Sequence, residues 1–72
     1  MRGNFFYKKL GERIFNERKK RKLTQEKLSL LSDVDRTYIT RIESGNANPS
    51  MKILKKISRV FKMRLNNLIK GV

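Results

Sequence analysis

Apolar residues along this chain recur three and four apart, the spacing of a buried helix face rather than the alternation of a strand. Leu10 and Ile14 share a face with Arg18, which predicts a helix over 7–21. Residues 1–6 show no such period, so no element is predicted there and the segment is expected to be mobile. Leu28 and Leu31 would face inward from a short helix over 25–31, opened by Thr24, whose hydroxyl can satisfy a free N–H. Val34, Ile39 and Ile42 form the inner side of a helix over 36–44, with Tyr38 at its edge. Asp35 is placed to cap that helix and Gly45 to stop it in the left-handed conformation. Leu54, Ile57, Ser58 and Phe61 make a buried stripe over 51–61 behind the cap Ser50. Met63, Leu65 and Leu68 predict a last short helix over 65–69 that closes the core. The expected fold is all-α: one compact five-helix domain over 1–72, with no repeat and no linker.

The centre of this plan is 24–45. Only Ser32-Asp33-Val34 separates the second pattern from the third, room for no more than a sharp turn, and two helices so joined are a helix-turn-helix. Ser29 and Ser32 are small and allow close approach. Opposite the inner face of the third helix, Thr37, Thr40, Arg41 and Ser44 fall at i, i+3, i+4 and i+7, with Arg36 beside them. Arginine pairs with guanine O6 and N7, and threonine meets bases or the thymine methyl, so this face suits a DNA major groove. A solvated helix face is the plain alternative. Gln25, at the first turn of the second helix, can present its amide and backbone N–H to a phosphate, or serve simply as a helix former. Asn46 and Asn48 precede Pro49 in a polar loop; they can donate to phosphate or merely shape the turn.

Composition narrows the classes. A chain of 72 residues buries only about 60% of its unfolded surface. It has neither cysteine nor histidine, which removes disulfides and effectively excludes a structural zinc site. Self-association is the remaining common source of stability. Val60, Ile69 and Val72 exceed what a five-helix core needs and mark a candidate dimer patch. Phe5, Phe6 and Tyr7 could cap the core or meet a partner; they are too short a run for a signal peptide. With no apolar run near membrane-span length, a soluble cytoplasmic protein is expected. No poised nucleophile or acid–base set is present, so no enzyme, cofactor or metal is expected, and no segment is left for a small-molecule ligand domain.

The net charge of +13 calls for a polyanion. It is unevenly spread: nine cations and two acids in 1–22, three cations and four acids in 23–45, and seven cations with no acid in 46–72. The proposed reading unit is near neutral and the attraction lies in its flanks, which suits a division between base contacts that specify and phosphate contacts that position. The run Lys19-Lys20-Arg21-Lys22 is either a helix end matched to the macrodipole or a direct phosphate contact.

From Leu10 to Ile69 the chain resembles the Cro/CI-type, or XRE-type, helix-turn-helix family. The likeness rests on Leu10-Gly11, Ile14, Arg18, Leu23-Thr24-Gln25-Glu26, Leu28, Val34, Tyr38-Ile39, Ile42-Glu43, Gly45, Pro49-Ser50, Leu54, Ile57 and Leu68. The run Asp35-Arg36-Thr37-Tyr38-Ile39 further resembles controller proteins of restriction-modification systems. The resemblance implies a lambda-repressor-like domain that dimerises on a near-palindromic operator in double-stranded DNA. By position it makes Arg36, Thr37 and Arg41, with Thr40 nearby, base-reading residues. Gln25, Asn46 and Asn48 become phosphate contacts, and Tyr38, at the edge of the third helix, and Lys20, in the basic run, are further phosphate-contact candidates. It also pairs Arg18 with Glu43, a carboxylate that otherwise opposes the dipole in the last turn of its helix. Five positions depart from the family pattern. Glu17 replaces an apolar residue, which predicts that the inner face of the first helix is shifted or recruits Phe15; Lys22 and Asp33 replace glycines; Lys27 breaks the capping box; and Arg64 replaces a capping serine, which predicts a fraying last helix.

The reading is a sequence-specific transcriptional regulator acting as a homodimer, with control of a restriction-modification operon as its narrower form. An antitoxin-type autorepressor of the same fold is the near alternative. An unspecific polybasic binder of RNA or acidic membrane is the distant one.

Overall fold

The computed structural model describes the chain from Arg2 to Val72, with side chains from Phe5 onward. It contains five helices: α1 Arg2–Lys20, α2 Gln25–Ser32, α3 Arg36–Glu43, α4 Met51–Phe61 and α5 Leu65–Ile69, with no strand among the described residues. None is long and apolar enough to cross a membrane.

The core is the apolar set that the spacing indicates. Leu10 and Ile14 of α1, Leu28 of α2, Ile39 and Ile42 of α3, Leu54, Ile57 and Phe61 of α4 and Leu68 of α5 are buried together with Val34 and Ala47. Helix α1 lies against α3 and α5, and α2 lies between α3 and α4. Thr24 accepts from the Lys27 N–H at 3.0 Å and Ser50 from the Ile53 N–H at 3.2 Å, so two of the three predicted caps form. After α3, Gly45 at φ +81° donates to the Ile42 carbonyl while Asn46 donates to that of Arg41 at 2.8 Å. This pair of hydrogen bonds closes the helix on a left-handed residue. Lys22, Asp33 and Lys62 hold the same conformation at the ends of α1, α2 and α4, near φ +60°.

Several expectations are corrected. Residues 2–6 are helical, because α1 starts at Arg2; Met1 lies outside the described residues. Leu31 does not face the core but is 54% exposed, on the side of α2 turned from α3. Phe15 is not drawn inward; it is exposed, with the Arg18 and Lys19 cations 5.3 and 5.9 Å from its ring. Glu17 is instead accommodated by Arg21, which donates to its carboxylate at 2.6 Å. Arg21 also donates to the Phe61 carbonyl and lies 4.8 Å over the Phe61 ring, joining the ends of α1 and α4. Asp35 makes no side-chain capping bond. Arg64 caps nothing either, but the far end of α5 is tied down: Arg13 donates to the carbonyls of Asn67, Leu68 and Lys70 at 3.0, 3.0 and 2.6 Å. Val60, Ile69 and Val72 are not wholly surplus, since each is half-buried against the core.

Candidate nucleic-acid interface

Helix α3 turns two residues inward and four outward. Ile39 and Ile42 are fully enclosed, while Arg36, Thr37, Thr40 and Arg41 are exposed. At about 100° per residue the four outward positions occupy one arc of roughly 140°. The two isoleucines therefore fix how the helix is rolled, and the roll decides what is presented.

The turn before α3 is set by two hydroxyls. Ser29 donates to the Val34 carbonyl at 2.6 Å, and Ser32 accepts from the Val34 N–H at 3.2 Å. With Asp33 at φ 60°, these bonds bring Val34 into the core and aim α3 away from α2. The sequence suggested only small size for these serines; their bonding depends on the turn geometry.

Behind the face lies a polar network. The Arg18 guanidinium donates to both oxygens of Glu43, at 2.6 and 2.9 Å, and to the Leu23 carbonyl at 2.7 Å. The two side chains are only 8% and 5% exposed, so the ion pair is bidentate and nearly dry. Gln25 adds a third donor to Glu43 at 3.0 Å, and its amide oxygen faces the Thr40 hydroxyl at 2.9 Å. Thr40 also approaches the Arg36 carbonyl at 3.1 Å; with one hydroxyl proton it serves one acceptor at a time. No buried side-chain nitrogen or oxygen lacks a partner among the described residues. The Gln25 amide is thus engaged within the protein, leaving its backbone N–H at the open start of α2 as the group aimed outward.

Arg41 rests 5.9 Å from the Tyr38 ring and donates one N–H to the Asn46 carbonyl at 3.1 Å. A guanidinium has five N–H groups, so most remain for an incoming base or phosphate. Asn46 uses its amide on Ser44 at 3.1 Å; Asn48 is exposed. Both border a notch of about 270 Å³ shared with Gly45, Ala47 and Tyr7. Of the aromatic run at 5–7, Tyr7 is the member that reaches this loop, while Phe5 is 66% exposed with Lys9 5.5 Å over its ring. Lys20 is exposed at the end of α1, with a long 3.4 Å contact to Glu17. Arg13, which ties α1 to α5, and Gly11, whose bare backbone packs against the Ile42 and Glu43 carbonyls, were not legible in the sequence as supports of the site. No group of histidines, cysteines or carboxylates among the described residues is arranged to hold a metal ion.

This architecture defines a helix-turn-helix DNA-binding protein, and the family pattern described as Helix-turn-helix matches residues 14–68. The chain belongs to that family, in its XRE-type branch, and is a sequence-specific DNA-binding regulator rather than an enzyme. Among individual proteins, it is 38% identical over 61 residues to the ImmF control region 10 kDa protein of Bacillus phage phi105, covering 85% of this chain and 68% of that one. It is 35% identical over 65 residues to control protein C.MunI of a Mycoplasma species, covering 89% and 88%. The crystal structure of the restriction-modification controller protein C.AhdI from Aeromonas hydrophila superposes with a TM-score of 0.83 at 31% identity, over 86% of this chain and 94% of that one.

Proposed function

We propose that the chain acts as a homodimer on a near-palindromic operator, in the manner of a restriction-modification controller. Arg36, Thr37, Thr40 and Arg41 read bases. Gln25, Tyr38, Asn46, Asn48 and Lys20 hold the phosphate backbone. One observation carries the reading: the four base-reading candidates stand exposed on a single arc of a helix whose opposite face is locked into the core. The half-buried Val60, Ile69 and Val72 supply apolar surface for a second copy. Likeness to C.MunI and C.AhdI, named as control and controller proteins, supports the narrower role.

Selection of bound duplexes from a random pool tests this. The expected product is an enriched motif of two inverted half-sites about 10 base pairs apart. For a controller, that motif also occurs near the protein's own coding sequence. An enriched single half-site would remove the dimer. No enrichment at fixed salt would leave only polybasic attraction.

A further inference from the structure

The loop joining α3 to α4 is assigned to the phosphate backbone, yet it carries no cation: the chain has no lysine or arginine between Arg41 and Lys52. Amides alone neutralise no phosphate, and counterion release by cations is the main source of backbone affinity. Helix α1 supplies a charge. A methyl built on Gly45 would lie 3.0 Å from the Lys8 Cα and 3.3 Å from its Cβ, so the Lys8 stem leaves α1 at the edge of the loop. Lys8 is exposed and makes no ion pair among the described residues. Its neighbour Tyr7 is half-buried and lines the notch formed with Gly45, Asn46, Ala47 and Asn48. The Tyr7 ring meets that of Phe6 edge to face, with centroids 5.6 Å apart. The loop's own bonds, Arg41 to Asn46, Ser44 to Arg41 and Asn46 to Ser44, do not engage the Tyr7 hydroxyl. Because Arg41 belongs to the exposed arc of α3, its bond to the Asn46 carbonyl puts the notch beside the reading face.

We propose that Tyr7 and Lys8 complete a phosphate clamp with Asn48 at this notch. The Lys8 ammonium pairs with one phosphate of the DNA backbone, while the Tyr7 hydroxyl and the Asn48 amide donate to its oxygens. The inference rests on the reading that the α3–α4 loop faces the backbone, and extends the contact to α1. A bound duplex brings a phosphodiester to the border of the reading face, and the clamp offers it one positive charge and two neutral donors. Such a contact positions the protein without reading sequence.

The test titrates the selected duplex and a random duplex at three salt concentrations with the native chain, Lys8→Gln, Tyr7→Phe and Arg36→Ala. Lys8→Gln should lower the slope of log affinity against log salt by about 0.9, and Lys8→Arg should restore it. Tyr7→Phe keeps the ring and removes one donor; it should weaken both duplexes about tenfold with its melting temperature unchanged. Methylphosphonates placed one at a time along the selected duplex locate the contact. One position should weaken the native chain yet add little to the loss in Lys8→Gln, Tyr7→Phe or Asn48→Ala. An unchanged slope in Lys8→Gln, unchanged affinity in Tyr7→Phe, or coupling of the three residues to different phosphates would overturn the clamp. So would a loss in Tyr7→Phe that tracks a fall in melting temperature, which would make the ring a packing residue. If Arg36→Ala still relaxed sequence preference in those cases, the reading face would stand without the clamp. If no duplex was selected and Arg36→Ala changed nothing, the reading would fall and the clamp with it.

Discussion

At the scale of single residues, the Arg18–Glu43 pair decides the most. Both charges are almost out of water, and the desolvation is offset by a bidentate contact with further hydrogen bonds: Arg18 donates three and Glu43 accepts three. Arg18→Met should strand the Glu43 carboxylate with Gln25 alone and cost on the order of 3–5 kcal/mol in chemical denaturation. Adding Glu43→Leu should recover much of that loss, since the unpaired charge is then gone. The pair was readable in sequence because the family resemblance joins Arg18 to Glu43, and a carboxylate in the last turn of a helix calls for a cation. The Gln25 link to Thr40 was not, since it depends on how α2 and α3 cross. Glu17 gives a second residue-scale expectation. The Arg21 guanidinium holds its carboxyl below the ordinary value of 4.5. A lowered folded value means stability that is complete above that ordinary value and lost as pH falls through the folded one. Thermal unfolding of the parent and of Glu17→Gln should therefore differ at neutral pH and converge in acid.

At the scale of elements, the spacing of α1 against α3 is set by a missing side chain. A methyl built on Gly11 would lie 2.2 Å from the Ile42 carbonyl and 2.9 Å from that of Glu43. Alanine normally gains about 1 kcal/mol over glycine inside a helix. Here the obstruction is backbone, which cannot rotate aside, so Gly11→Ala should destabilise by at least about 1–3 kcal/mol. The measurable sign of the cause is coupling: the shift should draw Arg18 off Glu43, so Gly11→Ala and Arg18→Met should cost less together than the sum of their separate effects. Periodicity gave the helices whose faces are buried along their length, α3 and α4 above all. It failed where burial is one-sided or absent. The start of α1 carries no apolar period because it is not covered by the core: Phe5 and Phe6 are exposed, and burial begins at Leu10. Leu31 has the right spacing for the core, yet α2 is only eight residues long and Leu28 and Ser32 fill its inner side. Spacing marks which positions share a face; it does not say whether a neighbour arrives to cover them.

For the whole molecule, charge and shape divide the labour of binding. The stretch 23–45 carries three cations and four acids, and two of its acids, Asp33 and Asp35, flank the turn. Attraction to a duplex must come from the ends of the chain, where α1 and α4 carry most of the lysines and arginines. Each phosphate-neutralising cation adds about 0.9 to the slope of log affinity against log salt, whatever the DNA sequence. Lys20→Ala should then lower the slope by about one and weaken specific and random duplexes alike. Arg36→Ala or Arg41→Ala should cost about 1–3 kcal/mol on the selected duplex, relax preference at one operator position, and change random-duplex affinity far less. Competition titrations at three salt concentrations separate the two kinds of loss, because one moves with salt and the other is a ratio between sequences at fixed salt. If the Arg36 and Lys20 variants fell together in both respects, the exposed arc of α3 would be one more basic surface, and the neutrality of the central stretch would have no bearing on specificity.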